Sequence, residues 1–224
     1  DIGPDTYSPI TLNNGECYDR VVVNRVANAN VSDMDKQTLF FEKNSSDGRR
    51  VYFTPSYTGI QEAVNTRILN RGGDNVFSNV SGQTLNNIER IDLIIDGGVF
   101  TPDSTKAGFL INERGGNDDF SVAAITSLDA NGNVNGLGDL TFVSRTKWGN
   151  TGKNIVTTVF QRTSSDTYMR PDQDLSGQNV HGVFISYADL QIESNEAIYG
   201  IAIFPGDVNQ AMDLIGLSNV PTNT

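Results

Sequence analysis

Cysteine, histidine and tryptophan are almost missing from this chain: each occurs once in 224 residues, as Cys17, His181 and Trp148. A lone cysteine excludes an intrachain disulfide, of which a small secreted eukaryotic scaffold would usually carry several. The count fits a cytosolic protein or a bacterial exported one. One histidine excludes a two-histidine metal site and the H-E-x-x-H helix. A Ser-His-Asp triad would need His181 as its base, yet no G-x-S-x-G elbow is present. His181 therefore reads as structural, at the edge of an apolar strand. Neither G-x-G-x-x-G nor G-x-x-x-x-G-K-[ST] occurs, so nothing supports a phosphate cradle.

Basic residues are scarce as well. Sixteen Lys and Arg stand against 27 Asp and Glu, for a formal charge of −11, and the only adjacent basic pair is Arg49-Arg50. Such a chain offers no grip on a phosphate backbone or an anionic membrane surface. No apolar run reaches the roughly 18 residues that a membrane helix needs, so no membrane insertion is expected. The opening DIGPDTY has no charged n-region and no apolar h-region. The expectation is a chain left after signal removal, or a piece of a larger multidomain protein. An acidic surface rich in Asn, Asp and Gly is compatible with Ca²⁺, which takes hard oxygen ligands. Solubility at high charge is the favoured explanation.

What the sequence does contain is a succession of short β-prone runs with turn residues between them. Residues 18–26, 38–43 and 51–54 come first. A stronger series follows at 88–96, 107–114, 120–130, 140–148, 153–162, 181–190 and 197–204. In the 181–190 run, Val183, Ile185 and Tyr187 share one face while Phe184, Ser186 and Ala188 share the other. One helix candidate, Ile60–Leu69, places Ile60, Val64 and Ile68 four apart before Gly72-Gly73; a strand is the competing reading. No alternation of strands and helices suggests a parallel sheet. The expected fold is all-β, an antiparallel jelly-roll-like β-sandwich with at most one or two short helices. It is read as a single domain over 1–224, with 1–17 an extended lead-in and 205–224 a wrapping tail or linker.

Two loops concentrate oxygen-bearing side chains. The first is Gly115-Gly116-Asn117-Asp118-Asp119, preceded by Glu113 and Arg114. It offers three or four of the six to eight oxygens that Ca²⁺ takes, with Arg114, Gly115 and Gly116 as ligand contacts; a plain hairpin connection is the alternative. The second runs from Asp129 through Asn131, Asn133 and Asn135. It begins like an EF-hand loop but carries Val134 and Leu140 where that motif needs Gly and Glu. Asn131-Gly132 is also the pair preferred in a two-residue hairpin turn, and a hairpin tip is the favoured reading. Asp129 and Asn131 remain second-rank candidates for Ca²⁺. The clusters Arg170-Pro171-Asp172-Gln173-Asp174 and Gly206-Asp207-Val208-Asn209 read as solvated loops. Trp148, Tyr168 and Tyr57 are candidate stacking residues for a peptide or glycan, with Trp148 more readily a core-edge residue.

The segments NNIERIDLII, FLINERGGNDDFSVAAITSLDANGNVNGLGDLTFV and YGIAIFPGDVN…DLIGLSNVPTNT resemble a β-domain of very large bacterial cell-surface proteins. Such domains occur among adhesin-like and gliding-associated extracellular proteins, particularly of Bacteroidetes and marine bacteria. The resemblance covers residues 76–224 and carries no catalytic residues with it. It implies an extracellular, Ca²⁺-stabilised binding or structural module facing a peptide or glycan on another cell or surface. Peptide-binding domains of giant RTX-type adhesins are similar, although no glycine-aspartate nonapeptide repeat is present here. The leading expectation is thus a non-enzymatic adhesin module. A glycan-processing jelly-roll enzyme with paired carboxylates and a purely structural spacer are the alternatives.

Overall fold

A computed structural model describes residues 8, 12, 17–25, 37–43, 65, 71–73, 76–77, 88–162 and 170–206. Among these residues the chain forms eleven strands and one short 3-10 turn. The strands are β1 (Arg20–Arg25), β2 (Gln37–Lys43), β3 (Arg71–Gly73), β4 (Ile88–Val99), β5 (Gly108–Arg114) and β6 (Phe120–Leu128). They continue with β7 (Val134–Leu137), β8 (Thr141–Val143), β9 (Gly149–Arg162), β10 (Arg170–Ser186) and β11 (Ile198–Pro205). The fold is all-β and sandwich-like, as the alternating runs predict.

One antiparallel sheet has the order β1-β4-β11-β6-β7, with β8 also pairing β6; the other runs β3-β2-β9-β10-β5. Alternate residues of both sheets meet in a shared core. Ile91 and Leu93 of β4, Val122 and Ala124 of β6 and Ile201 of β11 pack with Phe109 of β5 and Ile185 of β10. Tyr187 follows Ile185 into this core, its ring 5.6 Å from that of Phe109, and Val183 packs beside them. The face assignment read from 181–190 therefore matches the core.

The first sheet is buried on its outer face too. Ile94, Ala123, Ile125, Ala202 and Phe204 lie there, packed against Leu128, Val134, Leu137 and Leu140 as the β6–β7 hairpin folds back over the strands. A strand covered on both sides needs apolar or small residues at every position, which is why β6 reads FSVAAI without alternation. The same face holds charge. Arg90 and Asp92, two apart on β4, form a buried ion pair at 2.8 Å, and Asn24 of β1 donates to Asp92 at 2.8 Å. Paired, hydrogen-bonded ions are the form in which charge survives burial.

Several sequence expectations need correction. β5 and β6 are not a hairpin: they belong to different sheets, so residues 115–119 cross from one layer to the other. The 140–148 run is a strand only over Thr141–Val143; Ser144 then caps a 3-10 turn at Arg145–Lys147. The 181–190 run is the end of a longer strand that begins at Arg170, so the Arg170–Asp174 cluster lies in β10 rather than in a loop. That strand stops at Ser186, and Asp189 accepts from the Ser186 N–H and hydroxyl to turn the chain. β4 runs on through Gly97-Gly98 to Val99, and β11 includes Pro205, the first residue of the expected tail. Gly72-Gly73, read as a helix stop, lies in β3. The runs at 51–54 and 207–224 lie outside the described residues, as does the helix candidate apart from Asn65.

Candidate functional site

The crossover loop is built around its two glycines. Gly115 and Gly116 have φ of +127° and +72°, and Gly116 sits under the His181 ring, which a Cβ would meet at 2.6 Å. Glu113 folds back to accept from the Gly116 N–H, and Gly115 donates to the Asn179 carbonyl at 3.0 Å. The His181 ring packs over Gly116, with its Nδ1 3.1 Å from the Asn179 carbonyl. Half-burial is the main reason that the Glu113 carboxyl is pushed above its ordinary range, and the nearby Asp118 charge adds to the effect.

Asp119 is fully engaged. Arg145 grips it through Nε and Nη2 at 3.1 and 2.6 Å, and the Arg145 backbone N–H also donates to it. The guanidinium holds this carboxyl below the usual carboxylate range. Asn117 donates to Asp118 at 3.2 Å. Trp148 stacks on Phe120 with ring centroids 5.1 Å apart and gives its indole N–H to the Asp118 carbonyl at 2.7 Å. Its ring closes the core edge rather than standing free as a platform. Arg114 lies nearby, its Nη2 donating to the Ser176 carbonyl at 2.8 Å.

Loop 129–133 is a hairpin tip between β6 and β7, but a longer one than a two-residue turn. Leu128 pairs with Val134, and Gly132 takes φ of +82°. Asp129 ties the loop together. Its Oδ1 accepts from the Asn131 and Asn133 N–H groups at 2.8 Å each, and its Oδ2 accepts from the Asn133 amide at 3.1 Å. The Asn133 contacts, first among these bonds, hold the Asp129 carboxyl below its ordinary range. This is an Asx-type turn, with the carboxylate turned toward its own backbone.

Beside that tip lies an open cleft of about 470 Å³, lined by Arg20, Asp96, Thr126, Ser127, Asp129, Asn131, Gly132 and Tyr199 among others. Its geometry follows from the register. Arg20 opens β1 opposite Ile94, and so lies on the outer face of the first sheet with Asp96 two residues further along β4. Arg20 Nε reaches Asp96 at 3.0 Å, and Nη2 bonds both Asp96 and the Gly132 carbonyl, pinning the hairpin tip to the strands. Asp19 accepts from the Asp96 N–H at 2.9 Å. Tyr199 packs against Gly98, where φ is +65° and a Cβ would meet the ring at 3.1 Å.

Several of the oxygens expected to ligate Ca²⁺ in the two loops are already engaged within the protein. In the first, a guanidinium already occupies the face of Asp119 and Glu113 is turned to the backbone. In the second, Asp129 Oδ1 is filled by its own loop while Oδ2 accepts only the Asn133 amide, with Arg20 close by. The described residues contain no group of three or more His, Cys, Asp or Glu that could hold a metal ion. Tyr168 and Tyr57 lie outside the described residues. Sequence reasoning placed Asp129 and Asn131 in a site but missed Arg20, Asp96 and Tyr199. The one signal for them was charge at the ends of otherwise apolar runs, YDRVVV and IDLIID.

Set against protein-family models, curated proteins and solved structures, the chain matches none, and the reading of its site rests on the geometry above.

Proposed function

We propose that this chain is a non-enzymatic, extracellular binding module of a bacterial surface protein, working through the cleft beside the 129–133 hairpin tip. The observation that carries this reading is the cleft itself. It is an open, largely polar depression of about 470 Å³ whose charged groups are fixed by bonds to the framework. The motif resemblance over residues 76–224 supports the cell surface as its place. Hydrolysis of a glycoside needs one carboxyl kept protonated as the acid. Asp129 is held toward its charged form, and Asp96 is tied to Arg20. That arrangement favours holding a ligand over cleaving it.

The test is to probe glycan and peptide arrays with the intact 224-residue chain and with Tyr199→Ala and Asn131→Ala. Retention of at least one ligand, weakened in both variants and without turnover of the ligand, is expected. Hydrolysis of the retained ligand would favour the enzyme reading. Retention indifferent to both variants would remove the cleft from the function.

A further inference from the structure

We infer that the cleft takes a neutral, polyhydroxylated ligand, a glycan chain without charged substituents, contacted by Arg20, Asp129, Asn131 and Tyr199. This rests on the reading of the chain as a binding module and adds the class of ligand to it.

The argument begins with charge. Asp19, Asp96 and Asp129 all act on the single guanidinium of Arg20, so negative charge is in excess around the cleft. A sulfated or carboxylated ligand would meet that excess directly. A cationic peptide would be drawn by the same excess while also meeting Arg20, and it is the competing class that titration separates. Peptide recognition in a groove rests on an apolar lining. Here Thr126, Ser127, Asp129 and Asn131 make much of the lining polar. A sugar hydroxyl both donates and accepts, and is matched to this mixture.

The groups that would meet such hydroxyls are already positioned. Arg20 uses Nε and Nη2 on the protein, while its Nη1 makes no hydrogen bond among the described residues and lies beside Gly132. Asp129 Oδ1 is filled by two backbone donors, but Oδ2 takes only the Asn133 amide and keeps capacity for a hydroxyl. The Asn131 side chain adds an amide donor and acceptor at the same rim. Tyr199, set against Gly98, supplies the flat apolar surface on which the C–H face of a sugar ring stacks. Arg20 and Asp129 are held by bonds to the framework before a ligand arrives, which lowers the ordering that binding must impose on them.

Isothermal titration of the intact chain distinguishes the classes, using neutral gluco-, manno- and galacto-oligosaccharides, a sulfated oligosaccharide and a Lys/Arg-rich peptide. Binding of at least one neutral series is expected, nearly unchanged between low and high salt. Loss of one contact to a charged group should weaken it about tenfold in Arg20→Gln and again in Asp129→Asn. Because both side chains also hold the framework, Asn131→Ala and Tyr199→Leu are measured beside them, with thermal unfolding to confirm the fold. Preference for the sulfated ligand or the basic peptide, with the same variants impaired, would overturn the neutral-glycan assignment and leave the binding module standing. Silence from all three classes would overturn both.

Discussion

Loops 115–119 and 129–133 have nearly the same composition, glycine with Asn and Asp, and lie only ten residues apart. They use their carboxylates differently. In the first, Asp119 is spent on Arg145, and the loop serves as a strut between the two sheets. In the second, Asp129 is spent on its own backbone, which leaves one oxygen and the neighbouring Asn131 facing a cleft. Composition alone does not separate a strut from a rim. What separates them is where each carboxylate finds its hydrogen-bond donors, and that depends on strands far away in the sequence.

The sharpest way to break this comparison is through the glycines. Gly116 and Gly132 both have positive φ, which alone makes alanine costly, of order 1 kcal/mol or more. Around Gly116 a Cβ meets the His181 ring at 2.6 Å, close to its own attachment point and with little room to swing away. Around Gly132 it meets the tip of Arg20 at 2.9 Å, the far end of a flexible side chain. Gly116→Ala should therefore cost about 2–3 kcal/mol in chemical denaturation and Gly132→Ala about 1 kcal/mol. Gly132→Ala should in turn weaken ligand retention more than Gly116→Ala does. Equal costs would mean that both loops are struts.

Much of the local structure behind this contrast can be read in the sequence. Val183, Ile185 and Tyr187 declare their core face by alternation, and Ile88–Asp96 declares a strand by its β-branched content. What cannot be read is which strands share a sheet. Residues 115–119 make a connection of hairpin length, so β5 and β6 look paired until the packing sends them into different layers. Arg20 is invisible for the same reason: its partners Asp96 and Gly132 lie 76 and 112 positions away. Arg90 and Asp92 are an intermediate case. An acid and a base spaced by two on a strand share a face, so their spacing is compatible with the ion pair, but nothing in the sequence marks that face as buried.

A smaller effect is expected from Asp119→Asn, which keeps the shape and removes the charge facing Arg145. The pair is bidentate but partly exposed, with Arg145 at 60% and Asp119 at 24%, so the loss should be about 0.5–1 kcal/mol. Its pH dependence is distinctive. A carboxyl whose folded-state pKa lies below its ordinary value of 3.8 stabilises the fold above that value, and the contribution fades as pH falls through the folded pKa. The gap between wild type and Asp119→Asn in thermal unfolding should thus be full at neutral pH and close in acid. Glu113 has the opposite sign. Its folded pKa is raised from 4.5, so its contribution is full below that value and lost as pH rises through the folded one. Glu113→Gln, which keeps an acceptor for Gly116, should match wild type in acid and be no less stable at neutral pH. A Glu113→Gln variant that is weaker only at neutral pH would show that the carboxylate charge is needed in the strut.

The smallest expected effect is that of Ca²⁺ on either loop. A dication binding only the folded chain adds stability by mass action, about 2.7 kcal/mol when its concentration is 100 times the dissociation constant. For a domain of this size such a gain moves the melting temperature by several degrees, easily read. The first loop already has an arginine in the role of the cation, and the second has one beside it. Arg145 faces Asp119, and Arg20 bridges Asp96 to the Gly132 carbonyl beside Asp129. A dication at the first loop would have to displace a guanidinium from Asp119, and at the second it would have to share Asp129 with the bonds that hold the loop in shape. Melting temperatures in millimolar Ca²⁺ and in chelator should therefore agree within about a degree, far less than occupancy of a site would give. If they diverge, Asp119→Asn and Asp129→Asn decide where the ion sits. A shift abolished by the first alone would turn the strut into a metal site, and one abolished by the second alone would place the ion at the rim of the cleft, where it would compete with Arg20 for the ligand.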